Sequence, residues 1–287
     1  MHRIVPLLLA CILLSAGCLT PSQPPAEAEI VLVAPANGIA IFDGQGIYAG
    51  LIGEETPQIR ANYSMGHVII PPGNGTALHR LIGTTEVVYI IDGTAEIRCD
   101  NETVTAREGE TVLLPEGVLQ SIASVGDDNL HYITVIELPF TAAMEILGDD
   151  PAALNLTADK RPIVVADPRS GIEWDLESDV AVFTLLNPVL MNETEIPIEY
   201  SLAYVELQPG GYLDYDGIRG SSDLLYVIEG ELEVVTPDGA AVRVPAGSAA
   251  YIPPNMVKKS RNDGDSVTTL LSLIDPAWTP EKTGLWE

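Results

Sequence analysis

"IIPPGNGTALHRLIGTTEVVYIIDGTAEI" (69–97) and "ELQPGGYLDYDGIRGSSDLLYVIEGELEV" (206–234) overlay without a gap at an offset of 137 residues. Pro72 falls on Pro209, Gly73 on Gly210, Tyr89 on Tyr226, Ile91 on Ile228, Gly93 on Gly230 and Glu96 on Glu233. Further along, "EGETVLLPEGVLQSI" (108–122) meets "AGSAAYIPPNMVKKS" (246–260) at an offset of 138, and "ELPF" (137–140) and "DPAW" (275–278) close the two stretches. Self-similarity on this scale means one structural unit present twice.

Each copy reads as short strands. "EVVYIID" (86–92), "AEIRC" (95–99), "TVLLP" (111–115) and "HYITVIEL" (131–138) are rich in Val, Ile, Tyr and Thr, and "DG" (92–93), "EG" (229–230) and "PDG" (237–239) punctuate them as turns. Helical spacing is confined to "TAAMEILG" (141–148), which predicts one helix between the copies. The pattern therefore predicts two all-β sandwiches or barrels.

The spacing of particular residues resembles the cupin family, whose motifs are G-x5-H-x-H-x(3,4)-E-x6-G and G-x5-P-x-G-x2-H-x3-N. Gly73, His79, Glu86 and Gly93, then Gly109, Pro115 and Gly117, fall in that frame in the first copy. Gly210, Gly230, Gly247, Pro253 and Asn262 hold it in the second. The resemblance implies two tandem jelly-roll barrels packed as a pseudo-dimer, an arrangement that a monomer satisfies and that leaves a homodimer open.

Metal-binding cupins hold their ion with two His, a Glu and a later His. The resemblance places His79, Leu81, Glu86 and Gln120 at those positions in the first copy. Imidazole, carboxylate and amide oxygen suit one Mn²⁺, Fe²⁺ or Zn²⁺, but Leu81 shares a strand face with His79 and puts an apolar wall where a ligand belongs. His67 and His131 are candidates for additional ligands. Ureidoglycine aminohydrolases, bicupins with Mn²⁺ and a Gln at the late position, offer a distant parallel to Gln120. In the second copy the positions hold Asp216, Ile218, Asp223 and Lys258. No metal is expected there; Lys258 is expected to pair with Asp216 or Asp223, with a Schiff-base or general-base lysine as the sharper alternative.

The first residues read as an address. Arg3 precedes the apolar run "IVPLLLACILL" (4–14), and "LSAGC" (14–18) resembles a lipoprotein signal with Cys18 as the lipidated residue. "TPSQPPAEAE" (20–29) follows as an extended tether. With 41 acidic residues against 14 Lys plus Arg, the net charge is −27, which disfavours nucleic-acid partners. Of ten asparagines, five open N-x-S/T acceptors: Asn62, Asn74, Asn101, Asn155 and Asn192. Chance gives about one or two, so glycosylation is expected. Once the signal is removed only Cys99 is left to pair, so no intrachain disulfide is expected.

The sequence thus predicts a signal at 1–18, a tether at 19–29, an N-terminal cupin at 30–148, a linker at 149–178 in which Trp174 packs between the barrels, and a C-terminal cupin at 179–287. The expected protein is extracytoplasmic, displayed at the cell surface and held to the outer face of the cytoplasmic membrane through the lipid alone. Its expected role is that of a small-ligand-binding or non-catalytic protein, the ligand being small and polar, such as a sugar or organic acid, with at most one degenerate metal site in the first copy. A metal-dependent enzyme acting on a small carboxylate or amide, and a structural surface module, are the alternatives.

Overall fold

The computed structural model describes residues 29–148, 150, 160–176, 178–191 and 194–285. The signal with Cys18, nearly all of the tether, Asn155 and Asn192 lie outside the described residues. Among the described residues no helix is long and apolar enough to cross a membrane.

The first copy supplies β1 (Val31–Val33), β2 (Ile39–Ile41), β3 (Gly46–Ile52), β4 (Tyr63–Ile70), β5 (His79–Leu81), β6 (Thr85–Asp92), β7 (Thr94–Cys99), β8 (Glu102–Arg107), β9 (Thr111–Leu114), β10 (Gln120–Ser124), β11 (Leu130–Glu137) and β12 (Glu145–Leu147). The second supplies β13 (Ile163–Val165), β14 (Ile172–Leu176), β15 (Val180–Leu186), β16 (Ser201–Leu207), β17 (Tyr212–Asp216), β18 (Ser222–Glu229), β19 (Glu231–Val235), β20 (Ala241–Pro245), β21 (Ala249–Ile252), β22 (Lys258–Arg261) and β23 (Thr268–Asp275).

Each barrel joins a seven-stranded sheet to a smaller one. The first combines β13-β9-β6-β11-β4-β3-β2 with β12-β5-β10-β7-β8, and the second combines β1-β21-β18-β23-β16-β15-β14 with β17-β22-β19-β20. Three apolar clusters result. One fills the first barrel, one lies inside the second, and the third draws residues from both and lies between them. Strand alternation explains this: along β6, Val87 and Tyr89 face the second barrel while Val88 and Ile90 face the interior of the first.

The turns repeat for a steric reason. Gly93 (φ +88°) and Gly230 (φ +83°) occupy the same place in the two copies, and a Cβ would stand 2.7 Å from the Asn129 carbonyl oxygen or 2.6 Å from Thr268 Oγ1. Only glycine takes this backbone without strain or collision.

Two features depart from the sequence expectation. The 141–148 stretch forms no helix: a single 3-10 turn at Ala142–Met144 leads into β12, which pairs with β5. Completing a sheet edge outweighs the local helical preference. The edge strands are also exchanged. β1 precedes the first barrel yet pairs with β21 of the second (Val31 opposite Tyr251), and β13 precedes the second yet pairs with β9 of the first (Ile163 opposite Leu113). The barrels therefore do not coincide with 30–148 and 179–287, and the stretch read as a linker contributes a strand to each.

The interface carries a reciprocal polar pair. Both Glu137 carboxylate oxygens accept the Glu199 backbone N–H at 3.0 Å, and Asp275 Oδ2 accepts that of Asn62 at 3.4 Å. Burial pushes both carboxyls up, Glu137 to about 7.

Candidate functional site

In the first barrel β5, β6 and β10 bring His79, Glu86 and Gln120 together, all buried. His79 Nδ1 donates to the Ala77 carbonyl at 2.9 Å, which leaves Nε2 as an acceptor. Gln120 Nε2 lies 3.2 Å from that nitrogen and donates to Glu86 Oε2 at 2.5 Å. Thr134 on β11 donates to the other Glu86 oxygen at 2.7 Å. Burial pushes the Glu86 carboxyl above its ordinary range, while His79 and the two hydrogen bonds pull it back. The Phe42 ring sits over His79 with centroids 5.4 Å apart.

This donor set closes without an ion. One amide nitrogen serves both acceptors, and Leu81, 3% exposed, is buried one position beyond Arg80 from His79. Among the described residues no three His, Cys, Asp or Glu side chains group to hold a metal. A cation would require Gln120 to turn its oxygen inward and the site to do without the imidazole that Leu81 replaces. The residues as they stand fit a hydrogen-bonded core better than a resident ion.

His67 and His131 do not join the cluster. On β4 and β11 they share the faces of Met65 and Ile133, which look toward the second barrel. His67 shares a short hydrogen bond with the Tyr226 hydroxyl there, and burial holds its imidazole down at about 4.

The second barrel builds a related site differently. Ser272, at the place of Thr134, donates to Asp223 Oδ1 at 2.9 Å, and Lys258 Nζ lies 3.3 Å from Asp223 Oδ2. The two side chains are only 12% and 5% exposed. Of the two partners expected for Lys258, Asp223 is the one it pairs with, and Asp216 takes no part. Its carboxylate accepts backbone N–H groups from Gly217 (2.7 Å), Gly284 (3.1 Å) and Leu285 (3.0 Å), which fixes the C-terminal strap. Asp216 stands opposite Lys258 on the ladder, as His79 stands opposite Gln120, but its carboxylate is spent on the strap rather than on the lysine.

Around Lys258 lies a cavity of about 700 Å³, walled by apolar side chains including Val205, Leu225, Leu270, Trp174 and Trp278. The two indoles meet edge to face, 5.1 Å between centroids. Trp174 therefore lines this barrel and does not pack between the two. Sequence reasoning missed Thr134 and Ser272, although both stand on the inward parity of matching strands.

The model of the family described as the cupin domain matches residues 66–136 and again 203–274. The chain is a tandem cupin. Its fold is similar to an arginine-to-alanine variant of the oxalate decarboxylase of Bacillus subtilis, with a TM-score of 0.66 at 16% identity over 85% of this chain and 76% of that one. A further structure of that enzyme, from work on its Mn(II) centres, gives 0.65 at 15% identity over 87% and 78%. The Lactobacillus farciminis oxalate decarboxylase, in a formate complex, gives 0.65 at 15% identity over 88% and 85%. At these identities the likeness is one of fold. Among curated proteins, an uncharacterised protein of Methanocaldococcus jannaschii is 27% identical over 78 residues, 27% of this tandem cupin and 62% of that relative. The tandem cupin thus spans less than two thirds of it.

Proposed function

We propose that this tandem cupin is an extracytoplasmic lipoprotein, anchored through Cys18, whose second barrel binds a small molecule without transforming it. The cavity of about 700 Å³ around the Lys258–Asp223 pair carries this reading, because a largely apolar concavity into which polar groups converge is the usual form of a small-molecule site. Exposure of the Asn62 and Asn101 acceptors suits glycosylation on an outward-facing protein; Asn74 is half-buried. Native mass spectrometry of the purified chain tests the binding: a retained small molecule that is lost when the cavity is filled supports it, and an unliganded chain whose spectrum is the same with the cavity filled or open counts against it. A Cys18→Ser chain is expected to lose membrane association.

A second reading, a metal-dependent enzyme acting on a small carboxylate or amide in the first barrel, draws on the convergence of His79, Glu86 and Gln120. Metal analysis of protein made without chelator separates the two. Stoichiometric Mn, Fe or Zn that disappears in His79→Ala would favour the enzyme.

A further inference from the structure

We propose that the ligand of the second barrel is an uncharged molecule with an apolar body and a single oxygen acceptor, seated with that oxygen on Lys258 and Ser260. This rests on the reading that the second barrel binds a small molecule and names the class.

Two donors on one strand carry the argument. Lys258 Nζ has Asp223 as its ion-pair partner among the described residues, and an ammonium group has three N–H bonds. Ser260, two residues along β22 and therefore on the same face, is 1% exposed and its hydroxyl has no hydrogen-bond partner. Both side chains line the cavity. Buried donors left unmatched are costly, and one carbonyl, ether or hydroxyl oxygen between them would satisfy both.

The remaining wall sets the class. Its charged groups are Asp214, Asp216, Asp223 and Lys258. Asp223 already balances Lys258, Asp214 lies 3.2 Å from Lys259, and Asp216 is taken up by backbone N–H groups. An entering anion would meet carboxylates with no spare cation, in a chain of net charge −27. An entering cation would meet the Lys258 ammonium. A sugar would need many partners, yet Ser201 Oγ already accepts the Trp278 N–H (3.0 Å) and Thr184 Oγ1 the Trp174 indole N–H (3.1 Å).

The neutral naphthyl ketone Prodan and the anionic naphthyl sulfonate ANS test the class on the full chain. The readouts are probe emission and quenching of Trp174 and Trp278. Prodan is expected to bind the wild-type chain more tightly than ANS. Leu270→Tyr, which copies the residue that Tyr132 supplies to the first barrel, is expected to weaken Prodan by about tenfold or more. Ser260→Ala, a small change in a buried position, is expected to weaken it by about fivefold.

Tighter binding of ANS that Leu270→Tyr abolishes would overturn the uncharged class and leave the cavity as a binding site. Prodan binding that Ser260→Ala does not weaken would overturn the seat of the oxygen. Binding of both probes unaffected by Leu270→Tyr would overturn this class and the site together.

Discussion

The two barrels share a frame and differ in what fills it. At equivalent inward positions the first carries Tyr132, Ile122 and Gln120, and the second carries Leu270, Ser260 and Lys258. Tyrosine and isoleucine pack the first interior, both buried to within 2% exposure. Leucine and serine leave the second with an open volume. The carboxylate that each barrel keeps, Glu86 or Asp223, receives a hydroxyl from the neighbouring strand, β11 or β23, and a donor from β10 or β22. A neutral amide answers it in one barrel and an ammonium in the other. Duplication has held the turns and strands constant while allowing the interior chemistry to diverge.

The largest expected effect tests that divergence. Lys258→Met leaves Asp223 buried with only Ser272, which should cost about 3 to 5 kcal/mol. Gln120→Met removes a neutral donor from Glu86 and should cost about 1 to 2 kcal/mol. Urea unfolding of both variants measures the contrast, and equal losses would break it.

Next comes the exchanged strand. Val33 is 3% exposed on β1, opposite Ala249 of the second barrel. Val33→Asp should lower stability by about 3 kcal/mol. The change should appear in the emission of Trp174 and Trp278, which line the second barrel; an unshifted tryptophan transition would contradict the pairing.

Burial pushes Glu137 up to about 7, so the folded chain holds a proton that the unfolded chain releases at lower pH. Stability should fall as pH rises from about 4.5 to about 7 and level off above, by about 2 kcal/mol from this residue after allowing for solvent screening of a partly exposed carboxyl. Glu137→Gln should flatten that limb in thermal melts across pH. Its counterpart Asp275 is raised for the same reason, and Asp275→Asn sharpens the test of their equivalence.

The smallest effect lies at the barrel contact. His67 is held down at about 4, so it contributes stability that is present above about 6.5 and lost as pH falls toward 4. That sign is opposite to Glu137. Tyr226→Phe removes its hydroxyl partner and should cost about 1 kcal/mol at pH 8, read from the unfolding midpoint.

Legibility in the sequence followed the physics of each position. The duplicated frame was readable because Gly93 and Gly230 take a backbone that other residues avoid, and because β-branched runs alternate with turns. His79, Glu86 and Gln120 were placed together by family spacing. His67 and His131 were not separable from them, since strands buried on both faces show no polar alternation to mark which face is the interior. The role of Asp216 was hidden because its partners, the backbone N–H groups of Gly284 and Leu285, lie almost seventy residues away, where spacing within the motif says nothing. Ser260 drew no notice because a serine signals nothing until its neighbours leave it unmatched.

The crossed edge strands have a consequence for how the halves can be handled. Cutting between the copies would strand β1 without its partner and strip the first barrel of β13, so neither piece would carry a complete set of edges. Two identical chains that lent each other a leading strand would yield this connectivity on fusion, with no strand moved. In that sense the molecule is a dimer whose subunits have become inseparable.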